Sequence, residues 1–163
     1  MSGDNSAKRA LIFDFDGLIL DTESTEVEIW NDFYAKVGLT FTMDAYINAI
    51  GSNSPEDFHP AILLADREGE ERSFEQIRQD FRKIAYLRCE QLEAMDGVVD
   101  LIKNAKTKGY FLAVGSSASY SWVQTHLNRL GLLDKFDVIV TFDDVENAVK
   151  LFIALISEPI ELA

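Results

Sequence analysis

The stretch Leu11-Ile12-Phe13-Asp14-Phe15-Asp16-Gly17-Leu18-Ile19-Leu20-Asp21-Thr22-Glu23 decides how the chain is read. Its opening, with Arg9 and Ala10 before it, is a short apolar run, as expected of a buried parallel strand. The run breaks at Asp14-Phe15-Asp16-Gly17, a strand-to-loop transition. Alternate residues of an extended chain share a face, so Asp14 and Asp16 can address one pocket. Two carboxylates so close do not both ionise cheaply, and one tends to keep a proton. One residue type thus supplies a nucleophile and a general acid. A divalent cation would be drawn to the same place, and oxygen ligands suit magnesium. Gly17 lets the backbone turn close to a ligand. A bare pair of aspartates at a strand end is better read as a solvated turn, so the longer context carries the argument.

Downstream, Thr22 to Met95 reads as helical, with no convincing strand. Val27, Trp30, Phe33, Tyr34 and Val37 fall on one helical face, and Gly38 follows as the residue that ends the helix. Ser54-Pro55-Glu56-Asp57 predicts a helix start with a capping serine and a first-turn proline, which places His59 inside a helix. Ser73 and Gln76 form a capping-box pattern ahead of Ile77, Phe81, Ile84, Ala85, Leu92 and Met95. A helix is expected from Val98 to Lys108, a strand over Tyr110–Gly115, and then Ser116-Ser117-Ala118-Ser119. A helix carrying Trp122, Val123, Leu127 and Leu130 ends at Gly131, and Phe136–Phe142 gives a third strand. Strands alternating with helices imply right-handed crossovers and a parallel sheet, an α/β fold. The helical block follows the first strand's C-terminal end, where open α/β sheets place their ligand sites, so an insert there would roof a site.

Composition limits the function. Of 163 residues, 47% are hydrophobic and 26% charged, the balance of a globular chain. Fifteen basic residues face 28 acidic ones, a net charge of −13, which argues against nucleic acid and against anionic membrane as partners. A phosphorylated ligand must therefore be held by local donors and a metal, against the field of the whole molecule. The single cysteine, Cys89, excludes an internal disulfide framework and fits a reducing compartment; it reads as a residue of a buried helix face. Met1 to Lys8 is small and polar, without a signal-peptide apolar region, and no apolar run reaches the ~20 residues of a membrane span. The expectation is a cytoplasmic protein. His59 and His126 lie too far apart for metal-ligand spacing, Trp30 and Trp122 read as packing residues, and Glu68, Glu70 and Glu71 as a solvated turn.

The Leu11–Glu23 string resembles the first motif of the haloacid dehalogenase-like hydrolases, in particular the branch with β-phosphoglucomutase and small sugar-phosphate phosphatases. The resemblance covers about Ala10 to Val145. It implies a Rossmann-like core from 1–20 and 96–163, with an α-helical cap at 21–95. It also implies a magnesium-dependent phosphatase acting on a small phosphorylated metabolite. Carried over by position, Asp14 is the nucleophile that takes the phosphoryl group. Asp16 protonates the leaving oxygen and then activates water. The Asp14 carboxylate and the Asp16 main-chain carbonyl bind magnesium. Ser116 stands where the family's second motif has a hydroxyl that holds the phosphoryl group, and Ser117 and Gly17 are candidates to join it. Gly51, Ser52 and Asn53 fall where this branch carries a substrate-facing loop of the cap. With no arginine there, a monophosphate hydrolase fits better than a mutase. Ser116–Ser119 taken alone is a loop with a helix cap, and Gly51–Ser54 reads equally as an N-capping turn.

The resemblance departs at the C-terminal end. After Thr141–Asn147 the family's third motif would bring a lysine followed by proline, and the chain reads Ala148-Val149-Lys150-Leu151. No fourth strand with a terminal acidic pair follows, so three strands are recognisable and the core is expected to be incomplete. The first strand then forms an apolar sheet edge, an association hazard. The run Leu151–Ile156 is expected either to cover that edge or to mediate self-association. Two further readings stay open. One is a catalytically inactive, truncated or alternatively spliced family member that binds or regulates. The other is a receiver-like domain phosphorylated on aspartate, which a long helical insert after the first strand disfavours.

Overall fold

The computed structural model describes residues 9–50, 59–68 and 71–144, with side chains left out at 48–50 and 68. The expectations for Gly51, Ser52, Asn53, the Ser54–Asp57 helix start, Lys150 and the Leu151–Ile156 run lie outside the described residues. Two compact units divide the chain: the described parts of Met1–Leu20 with Glu93–Ala163, and Asp21–Leu92.

In the first unit the order is β1 (Ala10–Phe13), α5 (Val98–Thr107), β2 (Phe111–Gly115), α6 (Tyr120–Arg129) and β3 (Val138–Val140). The strands form one parallel sheet, ordered β1-β2-β3. Register runs Ala10 to Phe111 through Phe13 to Val114, and Ala113 to Val138 through Gly115 to Val140. Parallel strands need a crossover, and α5 and α6 flank β2 in sequence. Gly109 after α5 and Gly131 after α6 both have positive φ, the left-handed conformation that ends a helix without a Cβ clash. Leu112, Ala113 and Val114 of β2 are buried with Ile102, Val123 and Leu127. Phe13 meets Phe136 edge-on at 5.6 Å.

β1 is not the fully buried strand that its composition predicts. Only Phe13 is buried, and Ile12 is 48% exposed. Among the described residues β1 pairs with β2 alone, so it stands at a sheet edge. The third strand is also shorter than expected: β3 stops at Val140, and Phe142–Asp144 forms a 3₁₀ turn.

The second unit is all-helical: α1 (Thr22–Lys36), α2 (Met43–Ile50), α3 (Pro60–Glu68) and α4 (Phe74–Cys89). Its core centres on Trp30, whose ring stacks on Phe81 at 4.2 Å and meets Phe33 edge-on. The capping box at Ser73 forms in both directions, Gln76 N–H to the Ser73 hydroxyl at 3.3 Å and Ser73 N–H to Gln76 Oε1 at 2.8 Å. The helix it starts ends at Cys89, which is buried. Leu92 and Met95, expected to continue it, lie beyond its end; the Met95 N–H instead donates to the Ile19 carbonyl. His59 is not inside a helix either. It precedes the first-turn proline of α3, and its Nδ1 accepts the Ala61 N–H at 3.1 Å, so it caps that helix. Among the described residues no helix is long and apolar enough to cross a membrane.

Candidate active site

The end of β1 delivers the first pieces. Phe15 is fully buried, whereas Asp14 and Asp16 on either side of it keep solvent access, the alternation expected of an extended exit. The turn is closed by local backbone bonds: Gly17 N–H to the Leu20 carbonyl at 2.8 Å, and Ile19 and Leu20 N–H to the Phe15 carbonyl at 2.9 and 3.2 Å. Gly17 takes φ +72°, a conformation that costs other residues a steric penalty. The Asp14 carboxylate accepts the Phe15 N–H at Oδ1, 2.7 Å, which leaves Oδ2 outside any described hydrogen bond. Desolvation pushes the Asp14 pKa above the usual carboxylate range. The Phe15 N–H opposes that shift, and the neighbouring Asp16 charge adds to it.

The end of β2 delivers the next. Ser116 is buried, and its hydroxyl lies 3.4 Å from Oδ2 of Asp16. The Ser116 hydroxyl oxygen also accepts the Ala118 N–H at 3.1 Å. The four-residue Ser116–Ser119 segment therefore splits by role. Ser119 caps α6 by accepting the Trp122 N–H at 3.4 Å, Ser116 turns back to Asp16, and Ser117 is exposed. No described hydrogen bond joins Ser117 to either aspartate.

Trp122, a packing residue by its sequence context, also serves as a donor. Its indole Nε1–H donates to Oδ1 of Asp16 at 3.1 Å, across 106 positions of sequence. A signal was available. A side chain in the first turn of a helix leans toward that helix's N-terminus, and α6 begins just after β2 ends. Beneath the indole lies His126, fully buried, meeting Trp122 edge-on at 4.3 Å and stacked on Phe15 at 6.2 Å.

Asp143 and Asp144 leave β3 near the same strand ends, and both are engaged in caps. Asp143 Oδ2 accepts the Tyr120 N–H at 2.7 Å. Asp144 Oδ2 accepts both the N–H and the hydroxyl of the buried Thr141, at 2.8 and 2.9 Å. Among the described residues no group of three histidine, cysteine or carboxylate side chains could hold a metal ion. The donors at the β1 exit, the Asp14 carboxylate and main-chain carbonyls, are hard oxygen ligands and fit magnesium, which keeps several waters of its own.

A profile of the haloacid dehalogenase-like hydrolases matches residues 11–158. YhcW of Bacillus subtilis (strain 168) is 38% identical over 138 residues, which are 85% of this chain and 62% of YhcW. The fructose-1-phosphate phosphatase YqaB of Escherichia coli (strain K12) is 28% identical over 137 residues, 84% of this chain and 71% of YqaB. Among solved structures, YfnB of Bacillus subtilis, bound to magnesium, superposes with a TM-score of 0.63 at 20% identity, over 94% of this chain and 74% of that one. The chain thus spans under two thirds of YhcW's length. The parallel sheet, the aspartates at the β1 exit and the profile match agree: the chain belongs to the haloacid dehalogenase-like hydrolase family.

Proposed function

We propose that the protein hydrolyses small phosphomonoesters of the sugar-phosphate class through an aspartyl-phosphate on Asp14. The observation that carries the reading is the meeting of two strand ends, where Asp16 of the β1 exit lies 3.4 Å from the Ser116 hydroxyl of the β2 exit and Asp14 lies within the field of the Asp16 charge. The name of YqaB supports the substrate class. Because Oδ1 of Asp14 is engaged by Phe15, Oδ2 is the attacking oxygen. It forms a bond to phosphorus as the P–O ester bond breaks, and the Asp16 carboxyl gives its proton to the departing alkoxide. Asp16, now a carboxylate, takes a proton from water. The resulting hydroxide attacks phosphorus, the P–Oδ2 bond breaks, and inorganic phosphate leaves with both aspartates restored. Ser116 and Ser117 would donate to the phosphoryl oxygens. The Asp14 carboxylate and the Asp16 carbonyl would hold magnesium, which when bound offsets the charge gathered between nucleophile and phosphoryl group. In this reading the helical Asp21–Leu92 unit corresponds to the family's cap.

A second reading, a chain that binds the ester without turning it over, is favoured by the engagement of Asp143 and Asp144 with Tyr120 and Thr141, which leaves Asp14 as the one carboxylate offered to the metal among the described residues. The test is phosphate release from 4-nitrophenyl phosphate and a panel of sugar phosphates with magnesium, for the native chain and Asp14→Asn. The native chain is expected to turn over and to show an acid-stable mass increase of one phosphoryl group. Asp14→Asn is expected to do neither. Ester binding without release selects the second reading, and full activity in Asp14→Asn refutes the nucleophile.

A further inference from the structure

We propose that Trp122 is a positioning residue for Asp16, its indole fixing which carboxylate oxygen moves the proton. The inference rests on the acid–base role given to Asp16 above and deepens it. The indole Nε1–H is a donor and never an acceptor, so the oxygen it meets stays an acceptor. That oxygen is Oδ1, at 3.1 Å, which leaves Oδ2 as the oxygen that delivers the proton once the Ser116 hydrogen is withdrawn from it.

Oδ2 is the oxygen near the Ser116 hydroxyl, at 3.4 Å. A serine hydroxyl has one hydrogen. Already accepting from Ala118, Ser116 can donate to Asp16 or to a phosphoryl oxygen, but not to both at once. Arrival of the ester thus takes the Ser116 hydrogen, frees Oδ2 to face the leaving oxygen, and leaves Oδ1 on the indole. One donor is exchangeable and the other is permanent.

The indole is fit to be the permanent one. Its backbone N–H is capped by Ser119, and the N–H of Tyr120 is held by Asp143 at 2.7 Å. Its ring rests on buried His126, which in turn stacks on Phe15, the residue between the two aspartates. One aromatic column therefore supports the Asp16 backbone through Phe15 and its side chain through Trp122. An indole also orients the carboxylate without placing a charge beside it.

Trp122→Phe keeps a ring over His126 and removes the N–H. Its expected signature is a leaving-group dependence. Turnover of a sugar phosphate, whose alkoxide needs the proton, falls about tenfold with KM unchanged. Turnover of 4-nitrophenyl phosphate, whose leaving group does not, falls far less. In an Asp16→Asn background the same change should do nothing further. A second measurement needs no catalysis: the Trp122 indole N–H resonance, assigned by its loss in Trp122→Phe, should move upfield and exchange faster in Asp16→Ala. Equal losses on both ester classes, or an indole resonance indifferent to Asp16→Ala, overturn the proposal. A native chain that releases phosphate from no ester refutes the phosphatase reading, while the resonance still decides whether the indole holds Asp16.

Discussion

Asp137 ties the strand that carries Ser116 to its neighbours, and its removal gives a worked test of the fold. Asp137 Oδ2 accepts the N–H of Leu112 at 2.7 Å, and its own N–H returns to the Leu112 carbonyl at 2.8 Å. Lys106 of α5 places Nζ 2.8 Å from both carboxylate oxygens. Leu112 is fully buried, so Asp137→Ala leaves a strand N–H without its acceptor, at about 1–3 kcal/mol. The ion pair is a third exposed at each partner, and screening limits it to about 0.2–1 kcal/mol. Together the loss is about 1–4 kcal/mol for the unfolding of this unit. Asp137→Asn keeps a carbonyl oxygen for Leu112 and should lose about 1 kcal/mol, while Lys106→Met, which removes only the pair, should lose less than about 1 kcal/mol. The Leu112 N–H, then Lys106, lowers the Asp137 pKa. Its stabilisation is therefore present above the unfolded value of about 3.9 and is lost as pH falls through the lower folded value. Urea titrations of the three variants at neutral pH, with the native chain repeated toward pH 3, measure all of this. A Lys106→Met loss equal to that of Asp137→Ala would show that charge, not the strand N–H, carries the energy, and the reasoning would fail.

Two more outcomes follow from single residues. Desolvation, then Arg78 and Arg82, lowers the His59 pKa, and protonating Nδ1 would break its cap on Ala61. The helical unit should therefore lose stability as pH falls below the unfolded value of about 6.5 toward the lowered folded one. His59→Asn, which can still cap, should shrink the drop in urea midpoint between pH 7.5 and 5.5; an unchanged drop assigns it to other groups. Asp144→Ala should cost about 1–3 kcal/mol by stripping the buried Thr141 N–H and hydroxyl of their acceptor, yet leave calorimetric magnesium binding unchanged. A weakened affinity would make Asp144 a metal ligand instead of a cap.

Short-range chemistry is legible in the chain alone. The apolar run into Asp14-Phe15-Asp16-Gly17 announces a strand and its exit, the Ser73–Gln76 box starts a helix where it should, and the glycines at 38, 109 and 131 end three more at positive φ. Each signal needs only a period or a cap, and each is complete within a few residues. Only the tertiary structure decided which serine of Ser116–Ser119 faces Asp16 and which one caps α6. Both are hydroxyls in one loop, and the choice depends on where β1 lies. It also gave Trp122, which packs on His126, a second role as a donor, and set Asp143 and Asp144 to capping. Periodicity records which face of an element is apolar, but not what polar group stands at the edge of that face. The bond from Trp122 to Asp16 joins residues 106 positions apart, and only the parallel pairing of β1 with β2 brings their ends together.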